Sequence, residues 1–175
     1  MKIWRNTLLL MILITPLTST ATETRITVGF SPGDSATLNV LNVVNSAHSS
    51  LDVAAYSFTS RQVAEALLAA QQRGVKIRVL ADAKDNGGKY SAVTWLQRQG
   101  ISVRLNGKYA IQHNKFMVVD GVTTQTGSFN YTSSAIRKNA ENILVVWNHR
   151  ATAGAYQKEF DRLWGESFEP ENPMK

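Results

Sequence analysis

HNKFMVVDGVTTQTGSFN, spanning His113 to Asn130, sets an Asp-Gly pair between two runs rich in β-branched and apolar residues. That pattern is the strongest short-range signal for a β-hairpin with a two-residue turn, so the segment reads as two antiparallel strands meeting at Asp120-Gly121. Successive side chains of a strand alternate between faces, which puts His113, Lys115, Met117 and Val119 on one face. If Val119 pairs with Val122, Ser128 falls opposite His113 and Thr126 opposite Lys115. The open end of the hairpin then collects an imidazole, an ammonium and a hydroxyl, and the Asn130 carboxamide stays with them if the chain remains extended. No carboxylate is among them, and the set suits a phosphate oxyanion. Asp120 lies seven residues from His113, roughly 23 Å along a strand, so its expected role is structural, as a turn residue tolerant of left-handed geometry.

His-x-Lys, four residues, Asp, then Gly-Ser-x-Asn resembles the HxKxxxxD and GSxN signature of the phospholipase D superfamily, and the single copy resembles its one-motif bacterial endonucleases. The resemblance extends from about Arg25 to Trp164. It implies a homodimer with the active site on the two-fold axis, because superfamily members with two motifs bring them face to face. In that arrangement His113 attacks phosphorus to give a phosphohistidine, while His113 of the other subunit protonates the leaving oxygen and later activates water. Lys115 and Asn130 from both subunits hold the non-bridging oxygens, and Ser128 supports the phosphate or Lys115. By family position, Glu141 is the acceptor that orients the imidazole. Asp82, at the carboxyl end of a predicted strand where α/β ligands gather, is the reserve for that task.

The amino terminus, MKIWRNTLLLMILITPLTSTA, has Lys2 and Arg5, an apolar run from Leu8 to Ile14, Pro16, and small residues near a cleavage point. The run is far short of the roughly 20 residues that span a bilayer. Residues 1–21 are therefore expected to be a removed secretory signal and residues 22–175 one domain, periplasmic or secreted. Removing the leader takes away two positive charges and no acidic residue. The 19 basic and 13 acidic residues thus become 17 and 13, and the net charge falls from +6 to +4. A modest positive excess suits a polyanionic partner.

Cysteine is absent, which excludes disulfides and thiolate zinc sites. His48 and His149 make no metal-ligand spacing with His113. There is no HExxH motif, and GGKY at 87–90 lacks the Ser or Thr of a phosphate-binding loop. These absences set the expectation of a metal-independent mechanism without cofactor.

Along the rest of the chain, RITVGF at Arg25 alternates as a strand, and Ser35 to Ala47 carries Leu38, Leu41 and Val44 at helical spacing. LDVAAYSF from Leu51 reads as a strand covered on both faces. Ser60 caps a helix that Gly74 ends. VKIRVLA from Val75 and Ile101 to Leu105 are further strands, with a short helix through Trp95 between them. A polar stretch follows Asn130, then a strand over ENILVVW from Glu141, then an amphipathic helix from Arg150 to Trp164 presenting Tyr156, Phe160 and Leu163. Trp95, Phe160 and Trp164 are expected in the core. Strands alternating with helices argue an α/β fold, one mixed β-sheet flanked by helices on both faces.

Lys84, Lys89, Tyr90, Arg104, Lys108, Tyr109, Arg137 and Lys138 are candidates to flank a groove, although a solvated face explains most such charges. The first functional reading is a sequence-nonspecific endonuclease on single- and double-stranded DNA, since a grip on phosphate carries no sequence information. The alternative is a phospholipid hydrolase or phosphatidyl transferase using the same half-sites. Against it, the mature chain shows no exposed apolar run and no long amphipathic membrane helix.

Overall fold

A computed structural model describes residues 23–88 and 91–171. The leader expected at 1–21 lies outside these residues, as do the groove candidates Lys89 and Tyr90. Seven strands form one mixed sheet in the order β1-β7-β6-β5-β2-β3-β4. The strands are β1 (Arg25–Ser31), β2 (Ser50–Ala55), β3 (Lys76–Asp82), β4 (Ser102–Asn106), β5 (Phe116–Val119), β6 (Thr123–Gly127) and β7 (Glu141–Trp147). β2, β3 and β4 run parallel, and the remaining pairings are antiparallel. The last strand covers ENILVVW, Glu141–Trp147, as the sequence reading places it.

Among the described residues six helices flank the sheet: α1 (Asp34–Asn45), α2 (Arg61–Gln72), α3 (Ala83–Asn86), α4 (Ala92–Arg98), α5 (Ser133–Arg137) and α6 (Arg150–Gly165). Residues of α1, α2, α4 and α5 join one core with Leu51, Val53, Val79, Met117 and Val145. On the opposite face, Ala153, Phe160 and Leu163 of α6 bury Ala54, Leu80, Phe116 and Val118. Arg78 fastens α6 down: its guanidinium donates to both oxygens of the buried Asp52 (2.7 and 2.6 Å) and to Asp161, and it lies 4.8 Å over the Phe160 ring.

Ser60 caps α2 as its sequence predicts, accepting the Val63 N–H. Several other details depart from the sequence reading. α1 buries Ala36, Thr37, Val40, Val43 and Val44, and Leu38 is exposed. The cause is close approach: a Cβ at Gly29 of β1 would collide with the Ser35 carbonyl 2.6 Å away, so small and β-branched residues face the sheet. Trp95 is one-third exposed and Trp164 half-buried, stacked on Phe160. The stretch after Asn130 is not wholly irregular, because Thr132 accepts the Ala135 N–H and starts the short α5. An exposed apolar row also exists, contrary to expectation: Ile26, Val28 and Phe30 all point from β1 toward the α6 side. α6 packs across β6, β5, β2 and β4, and the row lies beyond them at the sheet edge.

The hairpin forms, but one residue out of the expected register. Val119 pairs with Thr123 and Phe116 with Thr126, leaving a three-residue loop in which Val122 N–H donates to the Val119 carbonyl. The reason lies in β2. Asp120 N–H continues the β2 ladder by donating to Ser50 O (3.0 Å), and its carboxylate accepts the backbone N–H groups of His48, Ser49 and Ser50 at 2.9, 2.8 and 2.8 Å. These contacts draw Asp120 toward β2, and pairing across the hairpin resumes after Val122.

Candidate active site

The carboxyl ends of β2, β3, β4 and β6 and the amino ends of β5 and β7 share one edge of the sheet; His113, Lys115, Ser128, Asn130 and Glu141 lie at or just beyond those ends, and Asp120 lies at the opposite end of β5. His113 and Lys115 precede β5 and are not within it. The ladder ends at Phe116, so the cross-strand pairing of Ser128 with His113 does not occur. Lys115 instead reaches the His113 carbonyl, and Ser128 reaches Glu141, through side chains and not through the ladder.

The exposed His113 ring packs against Tyr56, just beyond β2, with ring centroids 4.7 Å apart. Lys115 is buried, and its ammonium donates to the His113 carbonyl at 2.6 Å while lying 5.1 Å over the Tyr56 ring. Burial pushes the Lys115 pKa down, and the nearby negative charge of Glu141 partly restores it. Glu141 itself accepts from Ser128 Oγ at 2.6 Å and from Asn139 Nδ2 at 2.9 Å. Ser128 is held in turn by the Asn142 N–H (3.1 Å) and side-chain amide (3.3 Å).

Gly127 explains the glycine before that serine. It has φ +149°, and a Cβ there would run into the Asn142 carbonyl and the Ile143 backbone. Only glycine lets β6 press onto β7 closely enough for Ser128 to reach Glu141. Two residues on, Asn130 is partly buried and its Oδ1 is enclosed without a hydrogen-bond partner, a residual polar capacity of the kind found at ligand sites.

Among the described residues no hydrogen bond joins the His113 imidazole to Glu141 or Asp82. Within one chain Glu141 faces Ser128, Asn139 and the charge of Lys115. Asp82 is occupied elsewhere: one oxygen caps α3 through the Lys84 and Asp85 N–H groups, and the other accepts the Gln112 N–H at 2.7 Å. Gln112, which sequence reasoning passed over, is buried next to the histidine. It donates to Ala55 O (3.0 Å) and accepts the Asn114 N–H (2.8 Å), so the residues on both sides of His113 are fixed to β2 and β3. Tyr56 was also missed. Its only sequence signal is its place at the carboxyl end of a parallel strand.

Of the groove candidates, Arg104 instead donates to Trp164 O and stacks on its ring, and Lys84 donates to Ala110 O. Lys108 and Tyr109 both bind Glu166. Arg137 and Lys138 are exposed at the end of α5.

The sheet edge thus carries one accessible imidazole, a buried ammonium and the side chains of Ser128, Asn130 and Glu141. The family model described as cardiolipin synthase, PLD-like domain, matches residues 40–164, and the chain belongs to the phospholipase D superfamily. It is 38% identical over 137 residues to the mitochondrial cardiolipin hydrolase of Xenopus laevis, covering 78% of this chain and 64% of that one. It is 31% identical over 144 residues to the phospholipase D of Rickettsia conorii, covering 82% and 72%. The chain thus spans just under two thirds of the Xenopus relative. Among solved structures, Nuc from Salmonella typhimurium, a phospholipase D family member, superimposes with a TM-score of 0.83 at 37% identity, over 85% of this chain and 99% of that one.

Proposed function

We propose that this protein is a metal-independent, sequence-nonspecific endonuclease that hydrolyses DNA phosphodiesters, working as a homodimer with one shared site. The observation that carries this reading is the pairing of an accessible His113 with a buried Lys115 against Tyr56, present once per chain. One imidazole cannot attack phosphorus on one side and protonate the leaving oxygen on the other in the same in-line step, so a second copy must supply the other.

In the first step the neutral His113 nitrogen bonds to phosphorus as the P–O bond breaks, and the imidazolium of His113 from the second copy gives its proton to the departing oxygen. In the second step that imidazole, now neutral, takes a proton from water. The water oxygen bonds to phosphorus, and the P–N bond breaks. Lys115 and Asn130 from both copies hold the non-bridging oxygens, so the charge is neutralised by ammonium and amide groups. Ser128 and Glu141 steady the Lys115 side of the site.

The β1 row supports pairing. Phe30 lies cross-strand from Asn142, whose amide reaches Ser128, so exposed apolar surface runs up to the edge of the half-site. Its burial by a second copy would both remove that surface from water and bring two half-sites together.

The second reading, phospholipid hydrolysis at the same half-sites, is favoured by the similarity to a cardiolipin hydrolase. Among the described residues no helix is long and apolar enough to cross a membrane. One experiment separates the two: purified protein with plasmid DNA in excess EDTA, cardiolipin vesicles in parallel, and a His113→Ala control. Plasmid loss in chelator that the variant lacks is the expected result. Lipid turnover without DNA cleavage establishes the second reading, and inhibition by EDTA overturns the mechanism.

A further inference from the structure

A pocket of about 200 Å³ opens beside the candidate nucleophile, lined by Tyr109, Ile111, His113, Asn114, Glu159 and Arg162. It is smaller than the roughly 300–1,000 Å³ of sites for drug-sized ligands, a size that suits one compact group. Its charges are already paired. Arg162 binds both oxygens of Glu159 (2.9 and 2.6 Å) and both of Glu166 (3.0 Å each), and Lys108 binds Glu166 at 2.8 Å. Lys108 and then Tyr109 pull the Glu166 carboxyl down to about 2, so the cluster stays ionised and balanced at neutral pH. Two cations against two carboxylates leave no excess positive charge for another phosphate, and the density of polar groups makes a poor lining for an acyl chain.

What the pocket offers is a fixed aromatic ring. The Tyr109 hydroxyl donates to Glu166 Oε2 at 2.6 Å and accepts from Arg162 Nη1 at 2.7 Å, while the residue remains 37% exposed, beside Ile111 at 45%. An aromatic held at its polar end loses little freedom when a planar ring stacks on it, and every nucleobase has such a face. Asn114 and Arg162 add hydrogen-bonding groups at the rim.

We infer that this pocket is a nucleobase subsite, in which Tyr109 stacks on the base of a nucleotide flanking the scissile phosphate. This rests on the DNA-cleaving reading above and deepens it. A base paired inside a duplex cannot enter, so single-stranded or locally opened DNA is the preferred substrate.

The test uses the full chain and a labelled single strand carrying one abasic nucleotide, with each cleavage position quantified against the intact strand and its duplex. Wild-type protein should cleave the intact strand fastest, and cutting should drop on the order of tenfold to a hundredfold at one phosphate flanking the abasic position. Tyr109→Ala should flatten that profile, whereas Tyr109→Phe, which keeps the ring, should largely retain it. Uniform cutting through the abasic position by wild-type protein overturns the subsite and needs no variant to fold. Absence of any His113-dependent cleavage of either strand refutes the nuclease reading instead.

Discussion

Asp120 belongs to the motif yet sits at the far end of β5 from His113, and replacing it with Asn distinguishes a structural from a chemical role. Its carboxylate accepts three backbone N–H groups from residues 48–50 and the Ser49 hydroxyl, all within 2.9 Å. Partial burial alone would raise its pKa, but the N–H groups of Ser50, His48 and Ser49 together hold it below the ordinary carboxylate value. A hydrogen bond to a charged acceptor contributes about 1.5–3 kcal/mol. Four of them sharing two oxygens at a half-exposed site do not add, and solvent screens them. An Asn side chain keeps one acceptor and turns an N–H₂ toward the remaining donors, so a loss of about 2–3 kcal/mol is expected. For a chain of this size that lowers Tm by roughly 5–10 °C.

The pH dependence follows from the sign of the shift. A carboxyl with a depressed folded-state pKa contributes its full stability above its unfolded value of about 3.9, and loses it as pH falls through the folded value. Thermal melts of wild type and Asp120→Asn should therefore differ most at neutral pH and converge below about pH 4. The turnover of the folded variant, measured at a temperature where both proteins are native, should stay within a few-fold of wild type. A collapse of turnover with Tm unchanged would refute the structural assignment, as would a Tm gap that persists undiminished to strongly acid pH.

Three further perturbations probe the other end of β5 and the sheet edge. Gln112→Ala removes the side-chain bonds that tie the chain on both sides of His113, to the Ala55 carbonyl and from the Asn114 N–H, and a misplacement of about 1 Å can cost on the order of 100-fold in rate. The expected result is a fall in kcat of about 10- to 100-fold with KM little changed, and unchanged kcat would exclude a positioning role. Lys115→Met should abolish cleavage and yet raise Tm at pH 7 by about 2–4 °C, because it removes a buried ammonium whose charged form the fold disfavours. That penalty is relieved as pH rises from the depressed folded value toward the ordinary lysine value, so the gain should shrink in alkaline solution. A lower Tm at pH 7 would show that the bond to the His113 carbonyl outweighs desolvation. Finally, Val28→Glu with Phe30→Glu should shift sedimentation from dimer to monomer and cut specific activity at least tenfold, and fully active monomers would sink the shared-site proposal.

Elements defined by local signals were legible in the sequence. α2 is bracketed by the Ser60 cap and Gly74, and β7 is marked by the apolar run from Ile143 to Trp147. The hairpin was legible as a hairpin, but its register depends on Asp120 reaching amides some 70 residues earlier in the chain, which no local pattern encodes. α1 was placed correctly in sequence, but which of its residues face the sheet was set by how closely Gly29 lets it approach β1. The same division holds at the site. His113, Lys115, Ser128 and Asn130 stand out by spacing, whereas Tyr56 and Gln112 matter through contacts between distant segments. Asp82 drew attention as a carboxylate at a strand end, and only the fold shows both its oxygens committed to backbone N–H groups.

These contacts give the motif spacing a physical meaning. β5 is four residues long and is anchored at both ends to the parallel pair β2 and β3: by Asp120 to the start of β2, and by Gln112 to the end of β2 and, through Asp82, to β3. The interval between Lys115 and Asp120 is the length of that strand. Asp120 therefore acts on the site without touching it, by fixing how far β5 extends before the chain leaves the sheet. A one-residue insertion within β5 that kept the Asp120 anchor would move His113 and Lys115 off the sheet edge, away from Tyr56 and Glu141. It would also reverse the faces of the residues preceding it, driving Phe116 out of the α6 core. The lysine's burial needs the same rigidity, because an ammonium held out of water is retained only where its few partners cannot move away.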